Sequence, residues 1–260
     1  MLDDECKYTK VPIFESILFS YKTFFSNMGY FLYLLFPVGA LIFVSDMLQF
    51  FGEFHEIYAM QYVFLFVNLV FYSLFAISWH RFIILGKSKS NKASILKLKK
   101  HEIIFIAYPM AWLAIAVLAL LFFIFLKLAG LQEIIIAPVV FVFLVISIHY
   151  IFRLWIFLPA QSIDSGLNMK DVYCLSKGYT IRLLFGFLII SSPLGYLEYT
   201  YKYYIYNSYA DRLGFNFILE YSLVEIFGLL ITLVAIALNA GFISHIFVRI
   251  QKEERSKNVD

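Results

Sequence analysis

The feature that most constrains this sequence is a series of apolar runs that recur along its whole length. A run of about 18 or more residues with few charges is long enough to cross the hydrocarbon core of a bilayer as an α-helix. Hydrophobic residues make up 62% of the chain and charged residues 15%. A soluble domain has about 45–50% apolar and about 25% charged residues. The sequence therefore predicts an integral membrane protein without a soluble domain of useful size.

Six such runs predict an all-α fold, a polytopic bundle of six transmembrane helices that forms one membrane domain over residues 1–260. Residues 1–27 contain apolar side chains at helical spacing over 11–25, which we interpret as an interfacial amphipathic helix. The alternative is a plain extension of the first span. Residues 249–260 form a polar tail that we predict to be disordered. The predicted spans are 28–50, 57–85, 103–126, 134–158, 183–201 and 221–248.

Prolines and polar residues add detail to four of these spans. Pro37 predicts a kink in the first span, and Pro193 predicts that the fifth span is broken or bent. Asn68 and Asn239 are predicted to form hydrogen bonds between helices. No convincing charge lies near the middle of a span, where a secondary transporter would usually carry one.

The distribution of Lys and Arg predicts the orientation of the bundle. The chain has 21 of these residues, and all but Lys127, Lys202 and Arg212 fall on one side of the six spans. Because positive residues accumulate in cytoplasmic loops, both termini are predicted to be cytoplasmic. Cys6 and Cys174 are far apart in the sequence and fall on that same side, so we predict neither a structural disulfide nor a zinc site.

Each even-numbered span ends on the predicted cytoplasmic side with a histidine and an arginine. In the last two the spacing is H-x-x-x-R, which places both side chains on one helix face. The pattern suggests three related hairpins and a basic collar that binds an anionic lipid head group. The alternative is a set of snorkelling anchors at helix ends. No metal is predicted, because no carboxylate or thiol stands at ligand spacing. The collar residues are His80, Arg81, His149, Arg153, His245 and Arg249.

Residues 149–182 predict a cytoplasmic elbow between the fourth and fifth spans. Pro159 is predicted to end the fourth span, since it lacks an amide hydrogen and obstructs the helix behind it. Asn168 is a favourable N-cap for a short helix that carries Asp171 in its first turn, and Gly178 is a natural helix end. The candidate elbow residues are Pro159, Asp164, Asn168, Asp171, Lys177 and Gly178.

The elbow and the end of the second span resemble a six-span bacterial membrane domain. That domain occurs fused to glycerophosphodiester phosphodiesterases and in free-standing, YciC-like inner-membrane proteins. In the family a span ends in Arg-x-x-x-x-x-Pro-Ala, and an acidic residue and a capped short helix ending in Ser/Thr-(Lys/Arg)-Gly follow. The second span of the family ends in Trp-His-Arg…Leu-Gly. The matching residues here are Trp79, His80, Arg81, Leu85, Gly86, Arg153, Pro159, Ala160, Asp164, Ser176, Lys177 and Gly178.

This resemblance implies a location in the bacterial inner membrane and a role in the envelope or with lipids. It implies no activity, because the phosphodiesterase chemistry of the fused proteins belongs to a separate soluble domain. Two residues depart from the family pattern. Lys87 stands where an acidic residue often follows the glycine, and Val172 replaces a usual alanine in the short helix.

The sequence contains no set of residues typical of an enzyme. It has no HExxH motif, no phosphate-binding loop, and no nucleophile and base at a spacing that would bring them together. We therefore predict a non-enzymatic integral membrane protein without cofactors, whose partner is the bilayer and in particular anionic phospholipid. The alternative is a transporter or permease component for a small or lipidic solute. Nucleic acid is not a predicted partner.

Overall fold

The computed structural model describes residues 12–87, 99–130, 132–209 and 215–257, and within these ranges the chain is helical and has no β-strand. Six spans in this part of the chain are long and apolar enough to cross a membrane, the fourth of which covers α5 and α6. The predicted all-α, six-span bundle is confirmed. The helices are α1 (Ile13–Ser26), α2 (Met28–Phe54), α3 (Tyr58–Leu85), α4 (Lys100–Leu128), α5 (Glu133–Leu154), α6 (Phe157–Ser162), α7 (Met169–Leu175), α8 (Thr180–Tyr209) and α9 (Phe215–Lys257).

Helix α9 forms the centre of the bundle, and α1, α2, α3 and α8 pack around it. More than half of its apolar stretch is buried, whereas no residue in the corresponding stretch of α4 is buried. Phe242 and Phe247 of α9 are completely buried. The hairpin of α4 and α5 lies at the edge and exposes apolar side chains along most of its length, as a lipid-facing hairpin does.

Small residues allow three helices to approach one another closely. The Ser20 hydroxyl of α1 donates a hydrogen bond of 2.5 Å to the carbonyl oxygen of Leu238, and a side chain at Gly241 would overlap Ser20. In α8, a side chain at Gly186 would overlap the ring of Phe242. Small residues at such crossings are the usual means by which membrane helices pack.

Two predicted helix ends are wrong. The helix of the fourth span ends at Leu154, and Pro159 lies inside the short helix α6. The proline ring obstructs the carbonyl of the residue four positions earlier, so the break falls at Trp155 rather than at Pro159. The tail predicted to be disordered from residue 249 is instead helical as far as Lys257, because its Gln, Lys, Glu and Arg residues are good helix formers.

The next observations concern the fifth span, the cysteines and the loop between the second and third spans. The fifth span is not broken at Pro193, which lies within the continuous helix α8. Cys174 is disulfide-bonded, so the prediction that the chain has no structural disulfide is wrong. Residues that are far apart in the sequence can lie close together in the folded chain. Cys6 lies outside the described residues. Most of the lysine-rich loop between the second and third spans, residues 88–98, also lies outside them.

Candidate functional site

Arg81 lies at the basic end of the bundle, the name used here for the end that carries Arg81, Arg153 and Arg249. Its guanidinium is buried, and Nη1 lies 2.6 Å from Oε1 of Glu102. Nε donates to the carbonyl oxygen of Ser162 at 2.5 Å, and Nη2 donates to Nε2 of His101 at 2.9 Å. Arg81 therefore joins α3 to α4 and α6, with the additional hydrogen bonds that a buried ion pair needs.

The other two arginines at the basic end have different partners. Nε of Arg153 donates to the carbonyl oxygen of Tyr173 at 3.0 Å, and the guanidinium stacks on the Tyr173 ring at 3.4 Å from its centroid. Arg249 pairs with Glu15 and thereby joins α9 to α1. Arg153 thus holds α7 against α5, as a cation–π contact and a hydrogen bond together can do.

Two of the collar histidines also make contacts between helices. Nδ1 of His80 is hydrogen-bonded to the Ser244 hydroxyl at 2.6 Å. Nδ1 of His245 lies 3.0 Å from the Ser16 hydroxyl. His149 contacts the neighbouring Tyr150 ring edge to face. These contacts join α3 to α9 and α9 to α1.

The six collar residues therefore contribute to several separate contacts in the fold. Each arginine has a partner of its own within the chain, and an anionic head group would have to share or displace it. Binding of a lipid head group by the collar stays a prediction.

The short helix α7 of the elbow has the cap and the end that the sequence predicts. The Asn168 side chain accepts a hydrogen bond from the amide of Asp171, and the Asp171 carboxylate accepts one from the amide of Asn168, both at 3.0 Å. Gly178 has φ 82° shortly after α7 ends, and Asp164 has φ 54°. Asp164 also lies 3.6 Å from His101. Lys177 is half-buried beside Gly178.

Sequence reasoning missed Glu102 and His101. Both residues stand just before the predicted start of the third span at residue 103, in a lysine-rich segment whose single acidic residue is Glu102. A local signal was present, because Glu102 stands three residues after Lys99 and accepts a hydrogen bond from the Lys99 amide at 2.9 Å. This bond is one half of a capping box, and the Lys99 side chain has no acceptor to supply the other half, so the signal in the sequence is weak.

A cavity of about 430 Å³ lies between α3, α8 and α9, and residues of α4 and α6, with Trp155 between α5 and α6, line it toward the basic end. Its volume is in the range of small-molecule sites. Most of its wall is apolar. Its polar side chains include His80 near the basic end and Ser191 and Asn239 in the middle. Toward the other end, which we call the opposite end, they include Tyr72, Ser73, Glu198 and Thr232.

The middle of the cavity contains one incompletely bonded amide. Nδ2 of Asn239 donates to the Ser191 hydroxyl at 2.9 Å and to the carbonyl oxygen of Ala235 at 2.8 Å. These bonds join α9 to α8, so the predicted interhelical role of Asn239 is confirmed. Among the described residues its Oδ1 atom is enclosed without a hydrogen-bond partner.

Polar residues from four helices meet beyond the opposite end of the cavity. Nδ2 of Asn68 donates to Oδ1 of Asp46 at 2.6 Å, which also confirms the predicted role of Asn68. Nζ of Lys202 lies 3.0 Å from Oε1 of Glu198, and both side chains lie over Gly228 of α9. This group could hardly be predicted from the sequence, because its members come from separate spans.

Comparisons with known proteins found no matching family model, no similar curated protein and no similar solved structure. Within the ranges that the structure describes, no three His, Cys, Asp or Glu side chains come together in a way that could hold a metal ion.

Proposed function

We propose that this chain is a non-enzymatic integral membrane protein that binds lipid in the cavity between α3, α8 and α9. The observation that carries the proposal is the cavity itself, with its largely apolar wall and few polar groups. Apolar cavities exclude water. For a cavity inside a bilayer, the abundant apolar ligands are lipid chains.

The arrangement of the helices supports entry from the side. α3 and α8 both pack against α9, while α4 contributes only Phe105 and Pro109 to the cavity, both near the basic end. Toward the opposite end the cavity is lined by α3, α8 and α9 alone. We expect the remaining side to face the bilayer, so that a lipid chain enters without passing through water.

The proposal extends to location and to a second lipid contact. The excess of Lys and Arg at the basic end supports a cytoplasmic position for both termini, as expected for a bacterial inner-membrane protein. Anionic phospholipid is the proposed partner of that end. The exposed edges of Arg153 and Arg249 would contact its head groups without breaking the contacts that these residues make within the chain.

Two glycines allow a matched test of the cavity. Gly195 lines the cavity and Gly29 does not, and a side chain at either position would meet no neighbouring atom. Gly195→Leu places a side chain in the cavity, whereas Gly29→Leu makes the same change of residue elsewhere. Mass spectrometry of lipids that co-purify in maltoside detergent should show at least half of the tightly bound lipid lost from Gly195→Leu only. Equal lipid content in wild type and both variants would refute the proposal.

A transporter of a small or lipidic solute is the second candidate. It is favoured by the length of the cavity, which extends from His80 near the basic end to Glu198 near the opposite end. A transporter must expose the site to both sides in turn. Labelling of Ala235→Cys by membrane-impermeant maleimides from both faces would favour transport, and protection from both faces would favour a lipid-binding protein.

A further inference from the structure

The opposite end of the cavity carries an excess of acidic groups. The acidic cluster consists of Asp46 on α2, Glu198 on α8 and Glu225 on α9. Asp46 interacts electrostatically with Glu225 and Lys202, and the Tyr72 side chain interacts with all three carboxyl groups. Lys202 is the one basic side chain described in contact with the cluster. Three carboxyl groups thus lie within electrostatic range of one another, and among the described residues one ammonium group, that of Lys202, contacts one of them, Glu198.

Two asparagine side chains each have an amide oxygen that lacks a hydrogen-bond donor among the described residues. Asn68 and Asn239 are both more than nine-tenths buried, and each donates through Nδ2 while Oδ1 has no partner among the described residues. Both oxygens are enclosed, so a ligand would reach them only after the amide turns. At these two amides the atom without a partner is an acceptor, so a ligand that complements them supplies donors. The enclosed Ser45 hydroxyl, which can donate or accept, also has no partner among the described residues.

The chain of a lipid cannot provide selectivity at this site. Moving an acyl chain from a bilayer into an apolar cavity exchanges one hydrocarbon environment for another and gains little free energy. The polar head must therefore determine which lipid is bound. A carboxylate within the membrane is stabilised most by a partner that brings positive charge and N–H donors.

From this geometry we propose that the cavity selects aliphatic amphiphiles with a primary ammonium head, which pairs with Glu198 while the chain lies between α3, α8 and α9. The inference rests on the proposed function and names its ligand class. The Glu198 side chain is 28% exposed and lines the cavity; its Oε1 lies 3.0 Å from Nζ of Lys202, so the ligand's ammonium group shares the carboxylate with that side chain. An anionic head would face the acidic cluster and is disfavoured at this end.

Three probes of equal chain length test this selectivity: dodecylamine, dodecanol and dodecanoate. Each is titrated into the full chain in maltoside micelles, and native mass spectrometry counts the bound molecules. We expect dodecylamine to bind at least about tenfold more tightly than dodecanoate, with dodecanol between them, as expected for one charge pair of moderate strength. Glu198→Gln should remove most of that difference. Glu56→Gln makes the same change at an exposed position away from the cavity and should leave the difference unchanged.

The possible failures can be told apart. If dodecanoate binds as tightly as dodecylamine, or if Glu198→Gln keeps the full preference, the inference is refuted while lipid binding in the cavity stands. If Gly195→Leu binds all three probes as wild type does, the ligand is not in the cavity and the proposed function itself fails. Thermal unfolding of each variant, measured without probe, separates loss of binding from loss of folding.

Discussion

The buried pair of Arg81 and Glu102 should be among the most sensitive residues of the fold. Their side chains are 10% and 7% exposed, and removing one partner of a buried pair costs about 3–5 kcal/mol because the other charge stays buried. We expect Glu102→Gln to reduce the free energy of unfolding by that order. The measurement is denaturation of the purified chain by sodium dodecyl sulfate, followed by helical circular dichroism.

Arg249 and Glu15 provide the matched control for this prediction. The same kind of pair is 34% and 52% exposed there, and exposed pairs contribute about 0–1 kcal/mol. Glu15→Gln should therefore have a small effect. If both substitutions cost the same, burial does not determine the strength of the Arg81 pair. Arg81→Met combined with Glu102→Met should recover much of the loss, since apolar residues of similar size often replace such pairs without cost.

At the scale of single residues, contacts between residues close in the sequence could be predicted, and contacts between residues far apart in the sequence could not. The reciprocal bonds of Asn168 and Asp171 follow from a spacing of three residues, which the sequence displays directly. Arg81 was recognised as a cation at a helix end, but its bond to Ser162 spans 81 positions. Such a contact depends on how helices pack, and hydrophobic patterns do not encode that in a membrane.

At the scale of the helix, the crossing of α8 and α9 should depend on Gly186. A methyl group there would overlap the ring of Phe242, which is completely buried and cannot move aside. We expect Gly186→Ala to destabilise the protein by about 1–3 kcal/mol through overpacking. Gly195→Ala, in the same helix with open space around it, should be neutral or stabilise by up to about 1 kcal/mol through helix propensity. Equal detergent-unfolding midpoints for the two variants would contradict this account of the crossing.

The helix boundaries show where sequence patterns lose precision. Pro159 was correctly recognised as a breaker, yet the helix ends at Leu154 because the ring acts on the turn behind it. Pro193 predicts a break or a bend in the fifth span, and α8 has no break there, since membrane helices tolerate proline when adjacent groups satisfy the freed carbonyl. Proline thus ends a helix at one position and is tolerated within a helix at another, and the packing around each position determines which occurs.

At the scale of the whole molecule, the number of spans could be predicted but their arrangement could not. Long apolar runs identify a crossing by length alone. The same runs are apolar on every face, so they do not show that α9 is central while α4 lies at the edge. The cavity depends on that arrangement, and the sequence therefore gave no sign of it.

Orientation is the last property that the sequence predicts for the whole molecule, and two exposed positions allow it to be tested. Lys100 lies at the basic end and Gln132 in the connection between α4 and α5 at the opposite end. The test uses Lys100→Cys and Gln132→Cys in a background with Cys6→Ser and Cys174→Ser. Thermal unfolding of this background, compared with that of the wild type, shows whether the chain folds without the disulfide of Cys174. A membrane-impermeant maleimide should label Gln132→Cys in intact cells and Lys100→Cys only after permeabilisation. The reverse pattern would mean that the excess of Lys and Arg faces outward, against the positive-inside rule.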